Sequence, residues 1–338
     1  MNKRIFAWSG LLLTLLACKF NATASTPTVN LLATLAASTP LSVGETDQVV
    51  LPVSPEGEPT GQIAFTCQVF KVQAANQICI MQADGTGLRR LTTDNTRQHY
   101  YPSVAPDGES VIYAAFREPN IYEIYEVELA SGSVTQLTDR LGNINAPEIS
   151  PDGKSIVFKL SIADSNQLWL MARDGSKPHR IQNASGWDPT WSSDGKTILF
   201  ASDMEGGIQL FSIRRDGSEL KKISSLPAMR GRSDWSPDGQ FIVTYSGQSW
   251  NRDVYLMNAD GSNAHMLSPT GGNSQGPSFS PDSQWVAFTS YFDNYGDDHG
   301  CEIYIMRVDG SDPSTSSGQA LRRLTNNDYC DYQPRWGP

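Results

Sequence analysis

From Gln62 onward the chain consists of short apolar runs separated by polar turns, and the runs recur in a fixed order. A stretch ending in an aromatic residue, such as Thr190-Trp191, Asp234-Trp235 or Arg335-Trp336, comes first. The turns that follow such stretches are Pro106-Asp107-Gly108, Pro151-Asp152-Gly153, Ser193-Asp194-Gly195, Pro237-Asp238-Gly239 and Pro281-Asp282-Ser283. After the turn comes a run closed by Phe (156–158, 198–200, 286–288), then one with a central aromatic (Leu168-Trp169-Leu170-Met171, Val254-Tyr255-Leu256-Met257). An Asp-Gly turn follows, and then a run ending in Leu-Thr (89–92, 136–138, 323–325). Runs this short, rich in β-branched and aromatic residues, predict strands. Pro presets φ, Asp bonds nearby backbone and Gly accepts positive φ, so both turn types predict tight hairpins.

The two turn markers keep the same period. Asp107, Asp152, Asp194, Asp238 and Asp282 are 45, 42, 44 and 44 residues apart. Gly85, Gly132, Gly175, Gly217, Gly261 and Gly310 are 47, 43, 42, 44 and 49 apart. Four strands at this period fit one propeller blade. The expected fold is therefore all-β: a six-bladed β-propeller of four-stranded antiparallel blades occupying residues 61–338. The first repeat lacks its own innermost strand, and residues 334–336 are expected to supply it. That C-terminal strand would pair into blade 1 and hide two sheet edges that otherwise invite aggregation. In this register Cys67 ends one strand and Cys79 begins its neighbour, while Cys301 and Cys330 each precede a strand. The expected disulfides are Cys67–Cys79 and Cys301–Cys330, which suit an oxidising compartment.

The succession Pro-x-Trp-Ser-Pro-Asp-Gly, Ile-x-Phe, Ile-Tyr-x-Met-x-x-Asp-Gly and Leu-Thr resembles the TolB-like β-propeller repeat, a WD40-like Pro-Asp-Gly family, over residues 62–336. The resemblance implies a propeller that works through protein contacts in the cell envelope. The separate N-terminal α/β domain usual in TolB has no counterpart in the sequence, which argues against a direct TolB role. Oligogalacturonate lyases and prolyl-oligopeptidase-type enzymes carry similar blades. A carbohydrate-binding or carbohydrate-lyase propeller, or a stand-alone relative of a peptidase regulatory propeller, is therefore the alternative.

The start of the chain adds an address. A basic Lys3-Arg4 is followed by an apolar run over 5–17, too short to span a bilayer comfortably but of signal-peptide length. Its end, Leu15-Leu16-Ala17-Cys18, resembles the lipobox of bacterial lipoproteins. That implies a signal peptide over 1–17 and lipidation of Cys18, where two acyl chains give stable anchoring. Residues 18–60 are rich in Ser, Thr, Ala and Pro and read as a flexible tether. The expected location is the bacterial cell envelope, extracytoplasmic, on the periplasmic or cell-surface face, with the lipid as the sole membrane contact.

Charge and motifs narrow the chemistry. A net charge of −10, with 18 % charged residues, argues against nucleic-acid binding. The sequence has no Gly-x-Ser-x-Gly elbow and no Cys-x-x-Cys or His-Glu-x-x-His spacing. A non-catalytic protein with no cofactor and no metal is expected. His179 and His265 read as solvated. The loop over 293–299 offers oxygen ligands for Ca²⁺, or is simply solvated, and the insertion 311–319 reads as a loop tip. The loops leading into the innermost strands carry the binding candidates His99, Tyr100, Tyr101, Asn145, Trp187, Asp188, Arg232, Gln275, Tyr329, Tyr332 and Gln333. At a channel mouth they suit a peptide or a sugar ring; between blades they are packing. The expected function is a monomeric, lipid-anchored binding or scaffold protein whose partner is a cell-envelope protein or peptide, or alternatively a glycan.

Overall fold

The computed structural model describes residues 57–69, 75–163, 165–267, 272–291, 300–310 and 321–338. Cys18, the signal-peptide segment, the tether up to residue 56, the 293–299 loop and the 311–319 insertion lie outside the described residues.

The described residues form an all-β propeller of four-stranded antiparallel blades. In the first sheet Gln62–Gln68 lies between Asp331–Gly337 and Asn76–Gln82, with Arg89–Arg90 outermost. Three further four-stranded sheets begin with the inner strands Trp187–Trp191, Asp234–Trp235 and Asn273–Phe279. An eight-stranded sheet holds the strands begun by His99–Val104 and by Asn143–Ile149. Its two halves are joined by a single parallel pairing, Tyr122 with Asn143.

The C-terminal strand is the inner strand of the first sheet. Gln62 pairs with Gly337, Ile63 with Trp336 and Thr66 with Tyr332. Gly57–Thr60, assigned to the tether on composition, are held by the propeller. Trp336 Nε1 donates to the Thr60 carbonyl at 2.8 Å, Arg307 Nη2 donates to that of Gly57 at 2.9 Å, and Arg322 pairs with Glu58 at 2.5 Å. Composition misjudged this stretch because its contacts are made with residues some 250 positions later.

Each turn motif has a local mechanism. Asp152 Oδ1 accepts from Ser150 Oγ at 2.6 Å and from the Lys154 N–H at 3.1 Å, and Gly153 takes φ 70°. The same bonds recur around Asp194, Asp238 and Asp282, where Ser283 adopts φ 62° in the glycine position. The Leu-Thr ending has a cause too. The Thr92 hydroxyl accepts from the Ile78 N–H at 2.9 Å and donates to the buried Gln77 at 2.7 Å. Thr138 does so with Glu123 and Thr325 with Glu302, so in these three modules the fourth strand is latched to the third.

Packing lies between neighbouring sheets. Ala64, Ile78 and Ile80 of the first sheet meet Val111, Tyr113 and Val127 of the next. On its other side Ile63, Phe65 and Met81 meet Trp285, Ile303 and Ile305 of the last sheet, with Trp336 in the same cluster. A fully buried side chain of this size contributes about 1.5–3 kcal/mol, so the contact of first with last sheet is a main stabilising term. Disulfides bond Cys67 to Cys79 and Cys301 to Cys330, with Cα separations of 5.8 and 4.4 Å. The second lies directly before the closing strand, where the Asp331 N–H also donates to the Cys301 carbonyl at 2.7 Å.

Candidate functional site

Inner strands carry an X-Pro step, and the residue before Pro is left-handed: Tyr101 (φ 55°), Ala146 (48°), Asp188 (50°), Gly276 (61°) and Gln333 (57°). Pairing with the second strand slips by a residue at each of these points. Positive φ is costly for a residue with a Cβ, and a following Pro restricts it further. Each slip is a bulge, which bends the strand and re-aims its side chains. Arg232 occupies the equivalent position in the strand region that has Ser233 instead of Pro.

Two residues after the bulge, the side chains converge. Arg335 Nε donates to Glu148, and its Nη1 lies 3.4 Å from Asp234. Ser103 Oγ donates to Glu148 at 2.8 Å, while Thr190 and Ser278 donate to Asp234 at 3.2 and 2.9 Å. Burial pushes the Glu148 carboxyl upward, opposed by the charges of Arg335 and Arg232. Burial would lower the Arg335 guanidinium, but Glu148 and Asp234 outweigh it and hold it above its ordinary value. Inner strands distant in sequence are thus joined by one buried ionic cluster.

Two hollows involve these strands. One, of about 360 Å³, has Glu148 and Asp234 in its wall beside Trp191, Trp235, Trp336 and a set of turn prolines. The other, of about 140 Å³, is lined by Tyr101, Asp188, Arg232, Tyr245, Gln275, Gly276, Thr289, Tyr332 and Gln333. The Arg232 guanidinium lies 5.3 Å from the Tyr101 ring centroid, and the Arg232 backbone N–H donates to Asp188 Oδ2 at 3.0 Å. Gln333 Oε1 accepts from the Tyr101 N–H at 3.0 Å and from Thr66 Oγ1 at 2.9 Å, and Arg252 donates to Gln275 at 3.1 Å. Burial raises the hydroxyls of Tyr101 and Tyr332 well above the usual range and pushes Tyr245 up to about 12. Burial lowers Arg232 to about 10.

The smaller hollow gathers six expected residues: Tyr101, Asp188, Arg232, Gln275, Tyr332 and Gln333. The others lie elsewhere. His99 is buried, its Nδ1 3.1 Å from the Asn76 carbonyl and its ring beside Tyr113. It comes before the bulge, so strand alternation sends it between sheets, where burial lowers its pKa. Tyr100 bonds Asn76 at 3.0 Å and Trp187 packs with Leu199 and Met229. Asn145 sits beside Asn143 and Lys159. Tyr329 lines another hollow with Cys67, Cys79 and Asp331. His179 and His265 are exposed. Sequence reading missed Tyr245 and Thr289, which lie on second strands; their signal was their shared position opposite the bulge.

Among the described residues no group of three His, Cys, Asp or Glu is arranged to hold a metal ion, and no helix is long and apolar enough to cross a membrane.

A ring of antiparallel blades whose inner strands line two hollows around a buried ionic cluster defines a β-propeller protein. The chain belongs to the TolB β-propeller domain family, whose sequence pattern matches residues 56–338. Among curated relatives it is 32 % identical over 115 residues to an uncharacterized protein of Agrobacterium fabrum, covering 34 % of this chain and 39 % of that one. It is 33 % identical over 72 residues to the Tol-Pal system protein TolB of Francisella tularensis, covering 21 % of this chain and 16 % of that one. These matches span well under half of either relative. Among solved structures, TolB from Acinetobacter baumannii aligns with a TM-score of 0.71 at 24 % identity, covering 83 % of this chain and 68 % of that one. An oligogalacturonate lyase in complex with manganese aligns at 0.51 with 16 % identity, covering 69 % and 72 %. Both likenesses concern the fold alone.

Proposed function

We propose that this chain is a non-catalytic binding protein of the cell envelope, anchored by lipid at Cys18, that grips a segment of a partner protein in the hollow around Arg232. The observation that carries the reading is the bulge before each inner-strand Pro. It holds Tyr101, Asp188 and Gln333 in a costly conformation and aims them, with Arg232, at one small space. Strain of this kind concentrates at binding sites, and Tyr and Arg are the residues that dominate protein contacts. The two disulfides fit an oxidising compartment. The likeness to TolB supports a protein partner rather than a small substrate.

In this reading the propeller has six blades. The eight-stranded sheet counts as two, fused by the Tyr122–Asn143 pairing. Support comes from the apolar clusters, each drawn from two adjacent modules and including one between the last sheet and the first. The protein acts as a monomer, with the tether setting its distance from the membrane.

Crosslinking from intact cells, followed by binding of the purified captured protein, tests the site. Tyr332→Ala and Gln275→Ala should each weaken that binding about tenfold or more; unchanged affinity in both would overturn the reading. Metabolic labelling with an alkyne fatty acid should mark the wild type and not Cys18→Ser.

A further inference from the structure

Arg232 is 5 % exposed, yet its Nε and Nη2 have no hydrogen-bond partner among the described residues. Both atoms lie on one edge of the guanidinium, the edge that engages a carboxylate side-on with two parallel bonds. Thr289, fully buried on the adjoining second strand, has an unpartnered hydroxyl and lines the same hollow. Buried polar atoms are paired as a rule, so three unsatisfied donor atoms on two residues of one hollow demand an acceptor. The Tyr101 ring lies against the guanidinium, 5.3 Å from its centroid, and the unpartnered edge belongs to the lining of the hollow.

Size and charge select the acceptor. At about 140 Å³ the hollow is well below the ~300–1,000 Å³ of sites that enclose whole small molecules. It takes one functional group while the rest of the ligand stays outside. Asp188 and Glu148 bring negative charge to the region, and Asp234 lies beneath with Arg335. Against them stand Lys159, Arg230, Arg232, Arg252 and Arg335, a surplus of two cations. Asp188 already accepts from the Arg232 backbone N–H. In a chain of net charge −10, this surplus is local.

We propose that the Arg232–Thr289 hollow is a carboxylate socket that seats an acidic side chain or a C-terminal carboxylate of the partner segment. The socket rests on the binding reading above and specifies its chemistry. Arg232 grips the carboxylate side-on, the Thr289 hydroxyl donates to one of its oxygens, and Tyr101 and Tyr332 wall the aliphatic stem.

The test uses the intact protein and NMR titration with acetyl-Gly-Ala-Asp-amide, its Asn counterpart, acetyl-Gly-Ala-Ala with a free C-terminus, the amide of that peptide, and sodium acetate. One or both carboxylate peptides should bind about tenfold tighter than the matched amide. Arg232→Met should erase that preference, and Thr289→Val should reduce it while retaining the wild-type melting curve. Preference for the Asp peptide assigns a side chain; preference for the free terminus assigns a chain end. Equal binding of acids and amides, acetate binding with no peptide preference, or an undiminished preference in both variants would overturn the socket. Should Arg232→Met not fold, Thr289→Val decides alone. If the socket fails while Tyr332→Ala still releases the captured protein, the binding reading stands. If the carboxylate preference holds while that release does not occur, the reading of the partner fails instead.

Discussion

Arg335 donates to Glu148 across 187 positions of sequence, and both side chains are buried. The closing strand is thus tied to a middle blade by an ion pair as well as to the first blade by backbone bonds. The same guanidinium approaches Asp234.

Breaking this pair from one side leaves a buried, uncompensated charge. Arg335→Met should cost about 3–5 kcal/mol, read as a lower urea midpoint at unchanged slope. Replacing both partners, with Glu148→Gln added, should recover much of the loss. A double variant as unstable as the single one would show that Asp234 is the principal partner.

Removing residues 331–338 strips the first sheet of its inner strand and the last sheet of Trp336. Cooperative melting should be lost, and the exposed edge of Gln62–Gln68 should promote association. Circular dichroism and light scattering on the truncated chain check this; a parent-like melting curve would refute it.

The disulfides close loops of different length. With sequence separations of 12 and 29, chain entropy assigns about 3 kcal/mol to Cys67–Cys79 and about 4 kcal/mol to Cys301–Cys330. Paired Cys→Ala variants should therefore rank in that order by urea midpoint. The second should also loosen the closing strand, read as faster amide exchange at Asp331 and Tyr332.

Titration acts in two windows of opposite sign. Hydrogen bonds from Thr86, Ser150, Ser176, Ser192, Ser218 and Ser262 lower the carboxyls of Asp84, Asp152, Asp174, Asp194, Asp216 and Asp260 below 3.8. Their stabilisation is full above pH 3.8 and is lost as pH falls through the lower folded values. Ser150→Ala should flatten part of this acid limb.

Asp331 runs the other way, since burial raises it to about 7. Folding favours its protonated form, so this contribution is full below pH 3.8 and lost as pH rises toward 7. Asp331→Asn should raise the melting temperature at pH 8 by at least about 2 °C, with the gain shrinking toward pH 5. An equal gain at both values would assign the effect to packing.

Sequence periodicity made the strands, both turns and the closing strand legible, because each is specified locally by Pro, Asp, Gly or an aromatic at fixed offset. Cysteine register was legible for the same reason. The bulges were not. A Pro usually keeps its predecessor extended, and only the surrounding ladder forces Tyr101 and Gln333 to positive φ. That hidden shift explains why His99 was expected at the mouth and lies between sheets. The ionic cluster was half visible. Glu148, Asp234 and Arg335 are charged residues in a column otherwise filled by Ser103, Thr190 and Ser278, but their meeting depends on the ring.

Because Gln62–Gln68 takes its inner neighbour from Asp331–Gly337, a polypeptide that stops before residue 331 leaves its first sheet with an unpaired border, and such a border is a template for association. Folding of the first sheet is thereby tied to synthesis of a segment more than 260 residues later.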